Sequence, residues 1–136
     1  MTPYIPATLR RQVQERARHR CEYCLLPEKV AFYPHEVDHI RADKHGGKTV
    51  ESNLCWSCWL CNRHKGTDLT SFDPLTDEIS PLFNPRVDRW DEHFRLVGAE
   101  IEGITALGRA TTRMLHFNLP DRVELREELI RMGRYP

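Results

Sequence analysis

A chain of 136 residues is sized for one domain with a modest core. Its 40% hydrophobic and 29% charged residues are ordinary for a soluble globular protein, no apolar run approaches the roughly 18–20 residues of a membrane span, and the opening MTPYIPATLRRQVQERARHR lacks the apolar stretch of a secretory signal, so no membrane partner and a cytoplasmic location are expected. A formal net charge of zero argues against a strongly basic nucleic-acid binder, although residues 1–67 carry 11 Lys+Arg against 7 Asp+Glu and residues 68–136 carry 9 against 13.

ATLRRQVQERARHR has no Gly or Pro and spaces Leu9, Val13 and Ala17 by four, which predicts an amphipathic helix. That helix delivers the chain to CEYC, and LLPEK makes a short turn. VAFYPHEVDHI is rich in β-branched and aromatic residues, so strands are expected on either side of Pro34. RADKHGGKTVES is polar, holds Gly46-Gly47 and reads as a loop. NLCWSC reads as a short apolar strand and WLCNRHKG as a short helix stopped by Gly66. TDLTSFDPLTDEISPLFNPR is rich in Pro and Asp and irregular, yet Leu75, Ile79, Leu82 and Phe83 want burial. RWDEHFRLVG and AEIEGIT alternate around Gly98, as in a hairpin. Leu107, Ala110, Met114 and Phe117 have helical spacing, and a last helix opens at Pro120-Asp121 and ends at Gly133.

Five cysteines sit at 21, 24, 55, 58 and 61. An odd count without a secretory signal does not suggest a disulfide framework. Cys21-x2-Cys24 and Cys58-x2-Cys61 instead suit a structural zinc ion, because each turn points two thiolates inward and two turns close a tetrahedral site. Cys55 is spare, since four ligands satisfy zinc, and it is expected in the core as a small hydrophobe.

HEVDH, residues 35–39, reads in two ways. As H-E-x-x-H on a helix, His35 and His39 would hold zinc and Glu36 would act as the base of a protease, with His45 at the spacing of a third ligand. As the end of a strand, the same letters finish in an Asp-His pair. The protease reading leaves the Cys pairs, Asn53 and Asn62 unexplained, and Ala42 stands where that family turns its chain on a glycine.

The string CEYC…HEVDHI…HGG…NL…CWLCNRHKG resembles the HNH endonuclease family over about residues 20–66. The resemblance implies an α+β protein in one domain, 1–136. A small ββα-metal core with a structural zinc knuckle would be preceded by the N-terminal helix and followed, over 67–136, by an extension of a hairpin and helices whose role is open. It implies an enzyme cutting DNA, with His39 as general base; an ordinary imidazole, of pKa about 6.5, accepts a proton near pH 7–8. Asp38 and Asn62 would hold a catalytic divalent ion through hard oxygens, which favour Mg²⁺ or Mn²⁺. Cys21, Cys24, Cys58 and Cys61 would hold structural Zn²⁺. Asn53 would pin the loop that aims His39. Lys65 and His64 would position a phosphate. Arg63 reads as surface charge, His35 and His45 as plain polar residues, and Trp56 and Trp59 as packing around the zinc and the strand. Strand alternation puts His35 and Glu36 on opposite faces, both outside the immediate shell of the ion. The competing reading is a zinc knuckle that binds nucleic acid without catalysis; the Asp-His pair with both asparagines argues against it, because binding alone needs no base beside a hard-metal site.

Overall fold

The computed structural model describes residues 4–136. The first helix, α1 (Ala7–Arg16), forms where the sequence has its four-residue apolar spacing. Val13 is buried against Leu54 and Trp56, with Leu9, Ala17 and Val37 packed around them. Arg16 fastens the helix end by donating to the carbonyls of Leu54 at 2.6 Å and Glu51 at 3.0 Å. Arg18 and His19, both in the left-handed region, turn the chain toward Cys21.

Strand β1 (Glu36–His39) pairs antiparallel with β2 (Leu54–Ser57), in a register running from Glu36 opposite Ser57 to His39 opposite Leu54. Helix α2 (Trp59–Lys65) follows directly and stops at Gly66, whose φ is 54°. This ββα unit is the predicted one, and it makes Glu36–His39 of HEVDH a strand rather than the helix that a protease site requires. The strand expected before Pro34 does not form. Glu28–Val30 is a single 3-10 turn, and Phe32 and Tyr33 lie in an exposed loop. A strand needs a partner, and the edge of β2 away from β1 is met by Glu22, whose backbone N–H donates to the Trp56 carbonyl and whose carboxylate accepts from Trp56 N–H, each at 2.8 Å.

The long loop between β1 and β2 is closed at its neck by Asn53. Its backbone carbonyl accepts from Ile40 N–H, its Oδ1 accepts from Arg41 N–H, and its Nδ2 donates to the carbonyls of Arg41 and Lys48, each at 2.9 Å. Gly47 fits inside this clamp because it lacks a side chain; a Cβ there would lie 1.8 Å from the Arg41 carbonyl oxygen.

The second half is more regular than its composition suggests. Strands β3 (Thr70–Phe72) and β4 (Ile79–Pro81) form a hairpin where an irregular stretch was expected. Its turn is organised by buried Asp73, which accepts from Leu75 N–H and the Thr76 hydroxyl and takes two 2.9 Å hydrogen bonds from Arg109. That scaffold frees Leu75 and Ile79 from the burial their hydrophobicity predicted; both are exposed, whereas Leu82 and Phe83 are buried. A short helix, α3 (Trp90–His93), leads into the predicted hairpin of β5 (Phe94–Val97) and β6 (Glu100–Gly103), turned at Gly98 with φ 62°. Helices α4 (Ala106–Met114) and α5 (Pro120–Arg131) complete the chain.

The extension does not stand apart from the knuckle. One core joins Cys21, Tyr23, Cys24, Ile40, Cys58 and Cys61 to Phe83, Phe94, Ile101, Leu115 and Phe117. Polar contacts reinforce the join. Trp90 Nε1 donates to the Tyr23 carbonyl at 2.8 Å, and the Tyr135 hydroxyl donates to the Cys24 carbonyl at 2.6 Å. No helix among the described residues is long and apolar enough to cross a membrane.

Candidate metal centre and active site

The thiol sulfurs of Cys21, Cys24, Cys58 and Cys61 all lie within 4.8 Å of one another, and all four residues are buried. Cys24 and Cys58 are 3.7 Å apart. A tetrahedral ion with Zn–S bonds of about 2.3 Å sets its sulfurs about 3.8 Å apart. The cluster therefore has the dimensions to hold a zinc ion. Both turns are built alike: Cys24 N–H points to Cys21 Sγ and Cys61 N–H to Cys58 Sγ, each at 3.4 Å. Cys55, which shares a Cys-x2-Cys spacing with Cys58, is outside the cluster. Its thiol lies 3.5 Å from the Tyr23 hydroxyl, and burial pushes it far up from ordinary thiol acidity.

One partner of this centre lies far away in sequence. Arg122, buried on α5, reaches Cys61 Sγ at 3.1 Å and Cys58 Sγ at 3.8 Å, and donates to the carbonyls of Leu115 and His116. Burial opposes its charge, but Cys61, Cys24 and Cys58 outweigh that and hold the guanidinium above its usual range. Four thiolates around a divalent cation leave excess negative charge, and a fixed guanidinium against two of the sulfurs offsets it.

Of the other predicted residues, Asp38 and His39 lie on β1 and Asn62, His64 and Lys65 on α2. Glu36 and Asp38, two apart on β1, share the strand face that meets α2. Asn62 Nδ2 donates to Glu36 Oε2 at 2.5 Å. Glu36 thus lies against the nitrogen end of the Asn62 amide, a contact the sequence reading did not foresee. Asp38 is largely buried, and its Oδ2 has no hydrogen-bond partner. Burial pushes its carboxyl up to about 6 from 3.8, Lys65 pulls it down and Glu36 pushes it further up. A buried carboxylate oxygen without a donor is costly unless something fills the gap. The donor set fits a hard divalent ion, because Asp38 offers that oxygen and the Glu36 contact uses only the nitrogen end of the Asn62 amide.

His39 ends β1, where its Nε2 lies 2.9 Å from the Thr49 hydroxyl. Thr49 was missed in the sequence; its only signal is its place just past the Gly-Gly turn that Asn53 closes. His35 is buried, with Nε2 2.8 Å from the Leu26 carbonyl oxygen, and His45 is exposed on the loop. The three histidines do not converge on a common metal.

The phosphate role expected of Lys65 does not fit its surroundings. Lys65 is 1% exposed; its ammonium donates to the Ile40 carbonyl at 3.1 Å and sits 3.9 Å from Asp38 Oδ2. The lysine is spent inside the fold as the countercharge of Asp38. His64 packs its ring 4.3 Å from that of His116, and burial, His116 and Arg122 all disfavour its charge. Trp56 is buried in the core beside Val13, as expected. Trp59 instead stacks on the exposed Tyr33, with Arg63 over its ring.

The carboxyl of Asp38 gives a first prediction. A carboxyl whose folded pKa lies above its unfolded value carries no penalty where both states are protonated. As pH climbs from about 4 through about 6 it ionises inside the fold, and stability is lost. Asp38→Asn leaves the buried Lys65 without its countercharge, a cost at every pH, but escapes this loss, so in the zinc-loaded protein free of other divalent ions its stability relative to wild type should rise by on the order of 1–2 kcal/mol between about pH 5 and about pH 7.5. Thermal melts of both proteins at these two pH values check this. A difference between variant and wild type that is the same at both pH values would contradict the raised carboxyl of Asp38.

Residues 21–68 match the family model described as HNH endonuclease. The chain is also 30% identical over 125 residues to the Septu protein PtuB of Bacillus thuringiensis, across 89% of this chain and 44% of that protein. The chain thus spans less than half the length of this curated relative. No solved structure matches it.

Proposed function

We propose, from the premise that residues 21–68 are an HNH endonuclease domain, that the chain is a metal-dependent endonuclease hydrolysing phosphodiester bonds in DNA. The observation that carries this reading is the buried oxygen of Asp38 that no hydrogen bond satisfies, with Lys65 of α2 3.9 Å away as its countercharge and His39 at the end of the same strand. A module that only binds gains nothing from that oxygen and bears its desolvation cost.

Each residue then has a chemical task. Asp38 and Asn62 present hard oxygens from β1 and α2 to a divalent ion, Mg²⁺ or Mn²⁺. Held there, such an ion would neutralise charge on the scissile phosphate and on the departing 3′ oxygen. Lys65 keeps Asp38 ionised when the ion is away, and Glu36 holds the Asn62 amide by its nitrogen so that the oxygen stays free. His39 accepts the proton of the attacking water. For that it must present a bare ring nitrogen. If Nε2–H donates to the Thr49 hydroxyl, Nδ1 is left as the acceptor. Successive strand residues point to opposite faces, so a phosphate straddling the end of β1 would meet water on the imidazole side and the hard oxygens on the other. Asn53 acts through the loop it closes, fixing the segment that carries Thr49. The four-thiolate zinc holds the ends of the unit together and takes no part in the chemistry.

Supercoiled plasmid incubated with the full chain tests this reading. Nicked or linear product in Mg²⁺ or Mn²⁺, and none in EDTA, is expected. Retarded but uncut plasmid in every metal would instead identify a zinc knuckle that binds without cutting.

A further inference from the structure

Beside the proposed site lies an aromatic ladder that its chemistry does not use. Tyr33 stacks on Trp59, centroids 4.6 Å apart and planes 27° from parallel, and Phe32 meets Tyr33 edge-on at 4.9 Å. The Arg63 guanidinium covers the Trp59 ring at 4.4 Å from its centroid. Phe32 is 91% exposed and Tyr33 47% exposed. An aromatic ring left in water adds little to a fold, and single exposed apolar residues need no explanation. Here the rings are contiguous, and the outermost lies open. Helix geometry places the ladder beside the site. Trp59, Asn62 and Arg63 are spaced three and four along α2 and share one of its faces.

We propose that this ladder stacks on the bases of unpaired nucleotides next to the scissile bond, so that the preferred substrate is DNA with a single-stranded segment. The inference rests on the nuclease reading for the identity of the ligand as DNA. Bases in a duplex hide their faces against one another, whereas an unpaired base exposes a face that any aromatic ring can take. A guanidinium at the inner end supplies the cation for the adjoining phosphate. The formal charge of the chain is zero, so attraction to a long polyanion is weak, and ring stacking supplies what charge does not.

The test measures binding separately from cutting. Full-length, zinc-loaded His39→Ala protein is titrated with one labelled sequence as a single strand, as a perfect duplex and as a duplex with an unpaired bubble. Single-stranded and bubble DNA should bind more tightly than duplex. Phe32→Ala and Tyr33→Ala should each weaken that binding by about tenfold and leave duplex binding unchanged, and Phe32→Trp should restore it. Equal affinity for all three DNAs, or a drop in melting temperature in the alanine variants without a change in affinity, would overturn the proposal. Plasmid cutting by the wild-type chain without ring-dependent binding would leave the nuclease reading intact and defeat this one. Ring-dependent binding without cutting would do the reverse.

Discussion

Cys61→Ser should lose the zinc and unfold the protein, while Cys55→Ser should keep both metal and fold. The two residues belong to the same run, CWSCWLC, and differ only in what they face. Cys61 is one of four sulfurs packed within 4.8 Å of each other, whereas the Cys55 thiol faces Tyr23. Structural zinc in small sites is worth about 10–16 kcal/mol of apparent binding energy, and whole-domain stability is typically about 5–15 kcal/mol. Loss of the ion removes a quantity as large as the whole. The collapse should reach beyond the knuckle, because Arg122 and Tyr135 attach the C-terminal segment to it and the core is shared. Cys55→Ser should cost about 1–3 kcal/mol, the penalty of a hydroxyl in a buried site with one partner. Metal content and circular dichroism decide between them. Zinc lost from Cys55→Ser and retained by Cys61→Ser would reverse the ligand assignment.

His39→Ala should abolish cleavage and leave a folded, zinc-loaded protein. A positioned general base contributes roughly 10²–10⁴-fold to rate. The fold has less at stake: the imidazole is half-buried and makes one side-chain hydrogen bond, to Thr49, worth about 0.5–1.5 kcal/mol. Rate and stability should thus separate, which a general loss of structure would not do. Nicking assays beside a thermal melt read both. Full activity in this variant would remove His39 as the base.

The ββα unit and the knuckle were legible because their signals are local. Cys-x2-Cys, Asp-His, Gly-Gly and the run CNRHKG each place residues within a turn or two of chain, and the fold joins those pieces in sequence order. What stayed illegible was set by contacts across long separations. Nothing in the run of α2 says that Lys65 turns inward to Asp38, or that Asn62 meets Glu36 rather than solvent. Arg122 lies 61 residues from Cys61, and one more arginine in a charged helix carries no mark of a zinc partner. The exposed stack of Tyr33 on Trp59 depends on Val30–Pro34 failing to pair as a strand, which its β-branched and aromatic composition masks. The β3–β4 turn was within reach: Asp73-Pro74 followed by Thr76 is the signature of an aspartate that caps its own turn.

The central claim is that a hard ion at Asp38 and Asn62, separate from the structural zinc, drives phosphodiester cleavage. It is tested most directly by the Mg²⁺ dependence of plasmid nicking in Asn62→Ala beside wild type, with zinc content measured in both. The wild-type chain should be silent after mild chelation that spares the buried thiolate zinc, and should regain activity as Mg²⁺ is added. Asn62→Ala should keep its zinc and fold yet need far more Mg²⁺ or stay silent. Superimposable Mg²⁺ curves for the two proteins, or nicking that continues in wild type with only zinc present, would contradict the account.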